Sequence, residues 1–321
     1  MKLDTLYGPV HQDLDLVDET IDSLRDVDYQ PLAEMLNLVL AARGKRLRPA
    51  LSLLAGQFGQ YRLDLLVPLA ASIELLHTAT LVHDDVIDNA ATRRGRPTAN
   101  SIFHNTTTVM LGDYMFAHAA NLVARTGNIE VIRLFSQTVM TIARGEIGQD
   151  MTAYDTRQTV RQYLQRIGGK TASLFATACQ GGAMLAELSE DRVEALKDYG
   201  YNLGMAFQVV DDILDFVGDE QEMGKPVGSD LSQGTLTLPS LLLLDRCPKN
   251  NPIGKLFAHR RRQEHLSQAV EMIRQSDIPR ESYQMAESFA KEAEGALTVL
   301  PNNPARRTLQ DIVHYVLDRR S

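Results

Sequence analysis

Apolar residues recur at helical spacing along most of the chain. Leu65, Leu69, Ile73 and Leu76 mark one stripe, and Leu203, Phe207, Val210 and Leu214 mark another. The first predicts a long apolar helix from about Leu63 to Asn89, stopped by the turn residues RRGRP, and the second a helix from about Glu190 to Val217, stopped by Gly218. A third segment, Thr106–Arg125, is apolar over most of its circumference, which predicts a surface covered by a second subunit or by the core. The chain shows no alternating strand pattern, no internal repeat and no low-complexity tract. Its breaks at Thr92–Asn100, Cys247–Lys255 and Leu300–Pro304 are short. The break at Gly218–Pro239 is long and rich in Gly and Lys, which marks it as a candidate lid. Length alone suggests two domains, but no Pro-, Gly- and Ser-rich linker divides the chain, so the expected fold class is all-α, with residues 1–321 in one helical domain.

Composition narrows the function. Of 321 residues, 33 are basic and 41 acidic, giving a formal net charge of −8, with 44% hydrophobic and 23% charged. Such a chain lacks the basic face that would neutralise a run of phosphates, so nucleic acid is not an expected partner. Cys179 and Cys247 lie far apart without zinc-ligand spacing, which argues against disulfides and structural zinc and fits a reducing cytoplasm. Residues 1–20 carry Asp4, Asp13, Asp15, Asp18 and Glu19, and the apolar stretch Leu63–Val82 is interrupted by Asp64 and Glu74; neither a signal peptide nor a transmembrane segment is expected.

Two carboxylate clusters carry the chemistry. Asp84, Asp85 and Asp88 end the first long helix, and Asp211, Asp212 and Asp215 end the second, each at positions i, i+1 and i+4. The first and last of each set share a helix face, where like charges cost about 0.2–0.5 kcal/mol per pair, and they sit at the end of the helix dipole that disfavours anions. A solvated acidic helix end is the plainer reading of one such cluster. Two copies on apolar helices point instead to a hard divalent cation such as Mg2+, which takes oxygen ligands and shares substrate phosphates. Basic residues beside Gly or Pro turns supply phosphate-clamp chemistry: Lys45, Arg46 and Arg48, then Arg93 and Arg94, Lys170 beside Thr171, and Lys225. His83 beside Asp84 is read as structural, because Mg2+ prefers oxygen.

DDVID at 84–88 with RRG at 93–95, DDILD at 211–215, GKRLRP at 44–49, GGKT at 168–171 and MGKPVGSDL at 223–231 together resemble the trans-isoprenyl diphosphate synthase family of prenyltransferases. The resemblance runs in order from about residue 40 to 240; the residues beyond carry no matching motif. It implies an all-α bundle around a deep central cavity, a homodimer, and the two aspartate motifs facing each other across the cavity mouth. By the same resemblance Asp84, Asp85, Asp88 and Asp211 would bind about three Mg2+ bridging to an allylic diphosphate, with Asp212 and Asp215 supporting. Arg93, Lys170 and Lys225 would contact that diphosphate, and Lys45, Arg48, His77 and Arg94 would hold isopentenyl diphosphate. Gln208 and Thr171 would lie near the reacting carbons.

The family often has Lys where this chain has Thr235, and Gly145-Glu146-Ile147-Gly148-Gln149 is similar to the long-chain pattern. Chain length follows from helix geometry. Thr80 and Ala79 lie about 6–7.5 Å along the helix before Asp84 and are small where short-chain members place aromatics, and the next candidate floor is Phe135. A long all-trans product of about seven to ten isoprene units is expected, the alternative being a short-chain synthase of about three or four. Rival readings are a di-iron bundle, for which Glu74 and His77 give one Glu-x-x-His and no second is found, a terpene cyclase, and a non-catalytic subunit of a heteromeric synthase.

Overall fold

The computed structural model describes residues 6–41, 44–93, 95–219, 226–258 and 263–319. Its helices are α1 His11–Asp22, α2 Gln30–Leu40, α3 Leu47–Gly56, α4 Leu63–Ile87, α5 Ala99–Ile102, α6 Asn105–Ala124, α7 Ile129–Met151, α8 Val160–Ile167, α9 Ser173–Leu185, α10 Glu190–Val217, α11 Ser229–Ser232, α12 Leu238–Arg246, α13 Pro252–Ala258, α14 Gln263–Arg274, α15 Ile278–Ala296 and α16 Pro304–Leu317. Strands β1 Thr92–Arg93 and β2 Arg96–Pro97 pair antiparallel, Thr92 opposite Pro97 and Arg93 opposite Arg96. The all-α expectation holds, and this small hairpin is the one sheet among the described residues.

The chain divides into two compact units, Met1–Thr138 with Leu174–Gly200 and Ala296–Ile312, and Val139–Ser173 with Tyr201–Gly295 and Val313–Ser321. In the first, α4 is the organising element, with α1, α3 and α6 packed on it. Its buried run from Leu66 to Leu76 contains the buried polar side chains Ser72 and Glu74. By length and composition α4 would pass as a membrane span, yet 72% of its most apolar window is buried within the protein, as expected of a core helix. Gly112 lets α6 close on His83, whose Nε2 lies 2.9 Å from the Val109 carbonyl and whose ring lies 5.4 Å from Phe116. His83 is thus a packing residue. Helix α4 ends two residues before the expected Asn89: Asp88 caps it, its N–H donating to the Asp84 carbonyl at 2.8 Å, and Asn89 turns left-handed at φ 50°.

The second unit has its own core, where Tyr163, Val209, Ile213 and Phe216 meet Leu231, Leu236, Leu238, Leu256 and Ile273. Helix α8 starts on a reciprocal cap: the Thr159 hydroxyl accepts from the Gln162 N–H, and the Gln162 side chain accepts from the Thr159 N–H at 2.9 Å. It ends in a π-turn, Gly168–Ala172, before α9 resumes.

Candidate active site

In the first unit, the end of α4 delivers Asp84 half-buried, Asp85 buried and Asp88 exposed. Arg93, on β1, donates from Nε to Asp85 Oδ1 at 2.7 Å. Burial pushes the Asp85 carboxyl up, against the pull of Arg93. The hairpin that presents Arg93 turns at Gly95, φ 72°, a conformation that suits glycine. Its base is fixed by the Ala90 carbonyl, which accepts from Thr98 Oγ1 at 2.6 Å and Asn100 Nδ2 at 3.1 Å. Arg94 lies outside the described residues.

Ahead of α3, Lys45 is exposed and its carbonyl accepts from Tyr7 Oη at 2.9 Å. Arg48, in the first turn of α3, sets its guanidinium 4.6 Å above the Phe175 ring. His77 is half-buried on α4, two turns before Asp84, and its carbonyl accepts the Thr80 hydroxyl at 2.7 Å. Ala79 is fully buried on the same helix, and Phe135 is buried on α7.

The second unit brings its candidates together around the π-turn. Lys170 Nζ meets the Glu146 carboxylate at 2.7 Å. Thr171 Oγ1 donates to Gln208 Oε1 at 2.7 Å, Gln208 Nε2 donates to Asp212 Oδ1 at 2.8 Å, and Tyr163 Oη donates to Asp212 Oδ2 at 2.7 Å. Two glycines allow this approach. A Cβ on Gly145 would stand 3.3 Å from the Lys170 nitrogen, and one on Gly168 would stand 2.6 Å from Tyr201 Oη. Asp212 is buried, and desolvation first, then Asp230, pushes its carboxyl up to about 8 while Tyr163 and Gln208 pull it back. Asp211 is the accessible member of the cluster, and Arg319 Nη2 reaches its Oδ1 at 3.3 Å. Asp215 is fully buried: its carbonyl accepts from the Gly228 N–H at 2.7 Å and its Oδ2 from the Asp230 N–H at 3.3 Å.

The segment after Pro226 is tied down rather than loose, since Leu231, Leu236 and Leu238 are buried and Arg166 donates to the Leu236 carbonyl. Thr235 is half-buried, its N–H donating to the Asp230 carbonyl at 2.9 Å. Residues 220–225, and with them Lys225, lie outside the described residues, so the lid expectation for the middle of Gly218–Pro239 falls there too. Tyr163 and Arg319 escaped the sequence reading; each meets its aspartate across a long stretch of chain and carries no local motif.

The donor set suits Mg2+, being carboxylate oxygen at both helix ends. Among the described residues no three His, Cys, Asp or Glu side chains already converge into a metal cage. The di-iron alternative fares worse, because Glu74 is occupied by Arg46 at 2.8 Å.

The family model described as polyprenyl synthetase matches residues 29–273. Heptaprenyl diphosphate synthase component 2 of Geobacillus stearothermophilus is 40% identical over 316 residues, covering 98% of each chain. Octaprenyl diphosphate synthase of Escherichia coli is 35% identical and covers 99% of each. The crystal structure of a polyprenyl synthase from Caulobacter crescentus, complexed with calcium and isoprenyl diphosphate, is similar with a TM-score of 0.94 at 33% identity, covering 99% of this chain and 98% of that one.

Proposed function

The chain belongs to the polyprenyl synthetase family and is a prenyltransferase, and from that premise we propose that it adds isopentenyl diphosphate head-to-tail to an allylic diphosphate to make a long all-trans polyprenyl diphosphate. The observation that carries this reading is that each aspartate cluster closes a long helix and has a basic side chain beside it, Arg93 at Asp85 and Arg319 at Asp211. Asp84, Asp85 and Asp88 on α4 and Asp211 on α10 would hold about three Mg2+, which supply positive charge to the departing diphosphate when bound. Asp212 and Asp215, buried and hydrogen-bonded, fix the end of α10. The calcium and isoprenyl diphosphate in the Caulobacter structure support a site for a divalent cation and a diphosphate.

Arg93, Lys170 and Lys225 bind and orient the allylic diphosphate, while Lys45, Arg48, His77 and Arg94 bind isopentenyl diphosphate. The allylic C1–O bond ionises as negative charge gathers on the diphosphate and is met by these cations. The double bond of isopentenyl diphosphate then attacks the allylic cation, and the released diphosphate takes the proton. Gln208, hydrogen-bonded to Thr171 and Asp212, would line the path of the cation. Glu146 holds Lys170 until a diphosphate takes its place. Small Ala79 and Thr80 would pass a growing chain and Phe135 would stop it, which agrees with the hepta- and octaprenyl names of the relatives.

We place the enzyme in the cytoplasm as a homodimer. The face of α6 bearing Met110, Asp113, Ala117, Ala120 and Ala124 is exposed, and Met110 is 65% accessible, so a second copy would cover an otherwise wetted apolar surface. The component 2 name of one relative favours a second reading, in which the chain works with a different partner. Purified chain supplied with Mg2+, radiolabelled isopentenyl diphosphate and an allylic primer decides between them. Long prenyl products from the chain alone support the proposal, and their absence until another protein is added overturns its self-sufficiency.

A further inference from the structure

Between Lys45 and Arg48, two proposed ligands of isopentenyl diphosphate, stands Arg46, a phosphate-clamp candidate by sequence that the proposed mechanism does not use. Its backbone is left-handed, φ 53° and ψ 26°, at the residue that opens α3. A non-glycine residue occupies that region only when something holds it there. The side chain turns inward, 15% exposed, with Nε 2.6 Å from Asp18 Oδ1 on α1 and Nη1 2.8 Å from Glu74 Oε1 on α4. Glu74 is 7% exposed at its side chain and lies one turn before His77. One guanidinium thus ties the turn to two helices, and a fork of donors spans two carboxylates as a single ammonium cannot.

We propose that Arg46 is a positioning residue for the isopentenyl diphosphate site: it clamps the Lys45–Leu47 turn to α1 and α4 and neutralises two carboxylates, one of them a turn before His77 on α4. This rests on the assignment of Lys45, Arg48 and His77 to that substrate. The clamp sets where the flanking side chains leave the backbone, and Tyr7, 2% exposed and donating to the Lys45 carbonyl, also braces the turn. Without Arg46, Glu74 would be a buried carboxylate lacking its cation, and such a group takes another cation or a proton.

Two measurements on Arg46→Gln, Arg46→Lys and Asp18→Asn test this, with thermal melts to confirm folding. Amide hydrogen exchange at Ala50, whose N–H donates to the Arg46 carbonyl at 3.1 Å, reads the clamp alone when metal and substrate are absent; exchange at least about tenfold faster in Arg46→Gln is expected, with Arg46→Lys and Asp18→Asn in between. Steady-state kinetics read the consequence. The KM for isopentenyl diphosphate should rise about tenfold or more in Arg46→Gln while the KM for the allylic primer stays within about twofold, and Arg46→Lys should recover part of the loss. Unchanged exchange, an unchanged KM for isopentenyl diphosphate or an equal rise in both constants overturns the inference. Should Lys45→Ala leave that KM unmoved, the substrate assignment fails instead, and the exchange data still decide the clamp.

Discussion

Arg319 lies over the ring of Phe207 at 4.0 Å and reaches the carboxylate of Asp211, one helical turn further along α10, at 3.3 Å. Its side chain is 7% exposed, so Arg319 is anchored at the second aspartate cluster. A cation there would compete with Mg2+ if Asp211 is a ligand, as proposed. Arg319→Ala is expected to lower the Mg2+ concentration for half-maximal turnover by about twofold, the scale of a partly exposed ion pair, and to lower the melting temperature through lost stacking. A Mg2+ titration of activity beside a thermal melt checks both.

Asp84→Ala and Asp211→Ala should each cost at least about 100-fold in turnover, the scale of removing one electrostatic stabiliser from a transition state. Folding should survive: Asp84→Ala relieves repulsion at a helix C-terminus, and Asp211→Ala does the same while losing its ion pair with Arg319. Circular dichroism and single-turnover rates on the same samples check the pair of outcomes.

The basic residues should separate kinetically. Lys45→Ala is expected to raise the KM for isopentenyl diphosphate more than that for the allylic primer, and Lys170→Ala the reverse, because each removes charge from one diphosphate. Initial rates with each substrate varied in turn show the split, and equal effects would refute the division.

Asp212 gives the metal-free protein a pH-dependent stability of defined sign. Its folded-state pKa, pushed up to about 8 chiefly by burial, lies above that of an unfolded aspartate, so the folded state binds the extra proton and stability falls as pH rises from about 4 towards 8. One proton gives a slope of at most about 1.4 kcal/mol per pH unit. Chemical denaturation in chelator should show this trend weakened in Asp212→Asn, which keeps the acceptor for Gln208 or Tyr163 but not the titration.

Ala79→Phe is expected to shorten the product to about three or four isoprene units, since the substitution lies about one and a half helical turns from Asp84, and Phe135→Ala should lengthen it. Ala79 is fully buried, so the larger ring costs about 1–3 kcal/mol of overpacking and the variant should melt earlier. Chromatography of dephosphorylated products measures the lengths.

Much of this was legible in the sequence. Helix α10 spans Glu190–Val217, the bounds its periodicity and Gly218 indicated, and α4 departs only at its last two residues, where Asn89 turns left-handed. Helical repeats and stop residues are local, so a single sequence carries them. Tyr163 and Arg319 are different: the bonds to Asp212 and Asp211 join residues 49 and 108 positions apart. No spacing rule reaches that far. The unit boundaries at 138/139 and 200/201 fall inside α7 and α10, where composition stays helical and no linker marks them. Arg46 was visible only as one more positive charge, and its inward turn depends on acids from two other helices.

The π-turn at Gly168–Ala172 makes the length of this stretch matter as much as its spelling. A wide turn accommodates one residue more than an α-helical turn would. Deleting a single glycine there would restore α-helical winding, leaving the flanking helices in register and shifting the side chains within the turn. Lys170 would then turn away from Glu146 and Thr171 from Gln208, although both residues remained in the sequence. A sequence comparison that scored the lysine and threonine as retained would miss the loss, and only counting residues between Ile167 and Ser173 would reveal it.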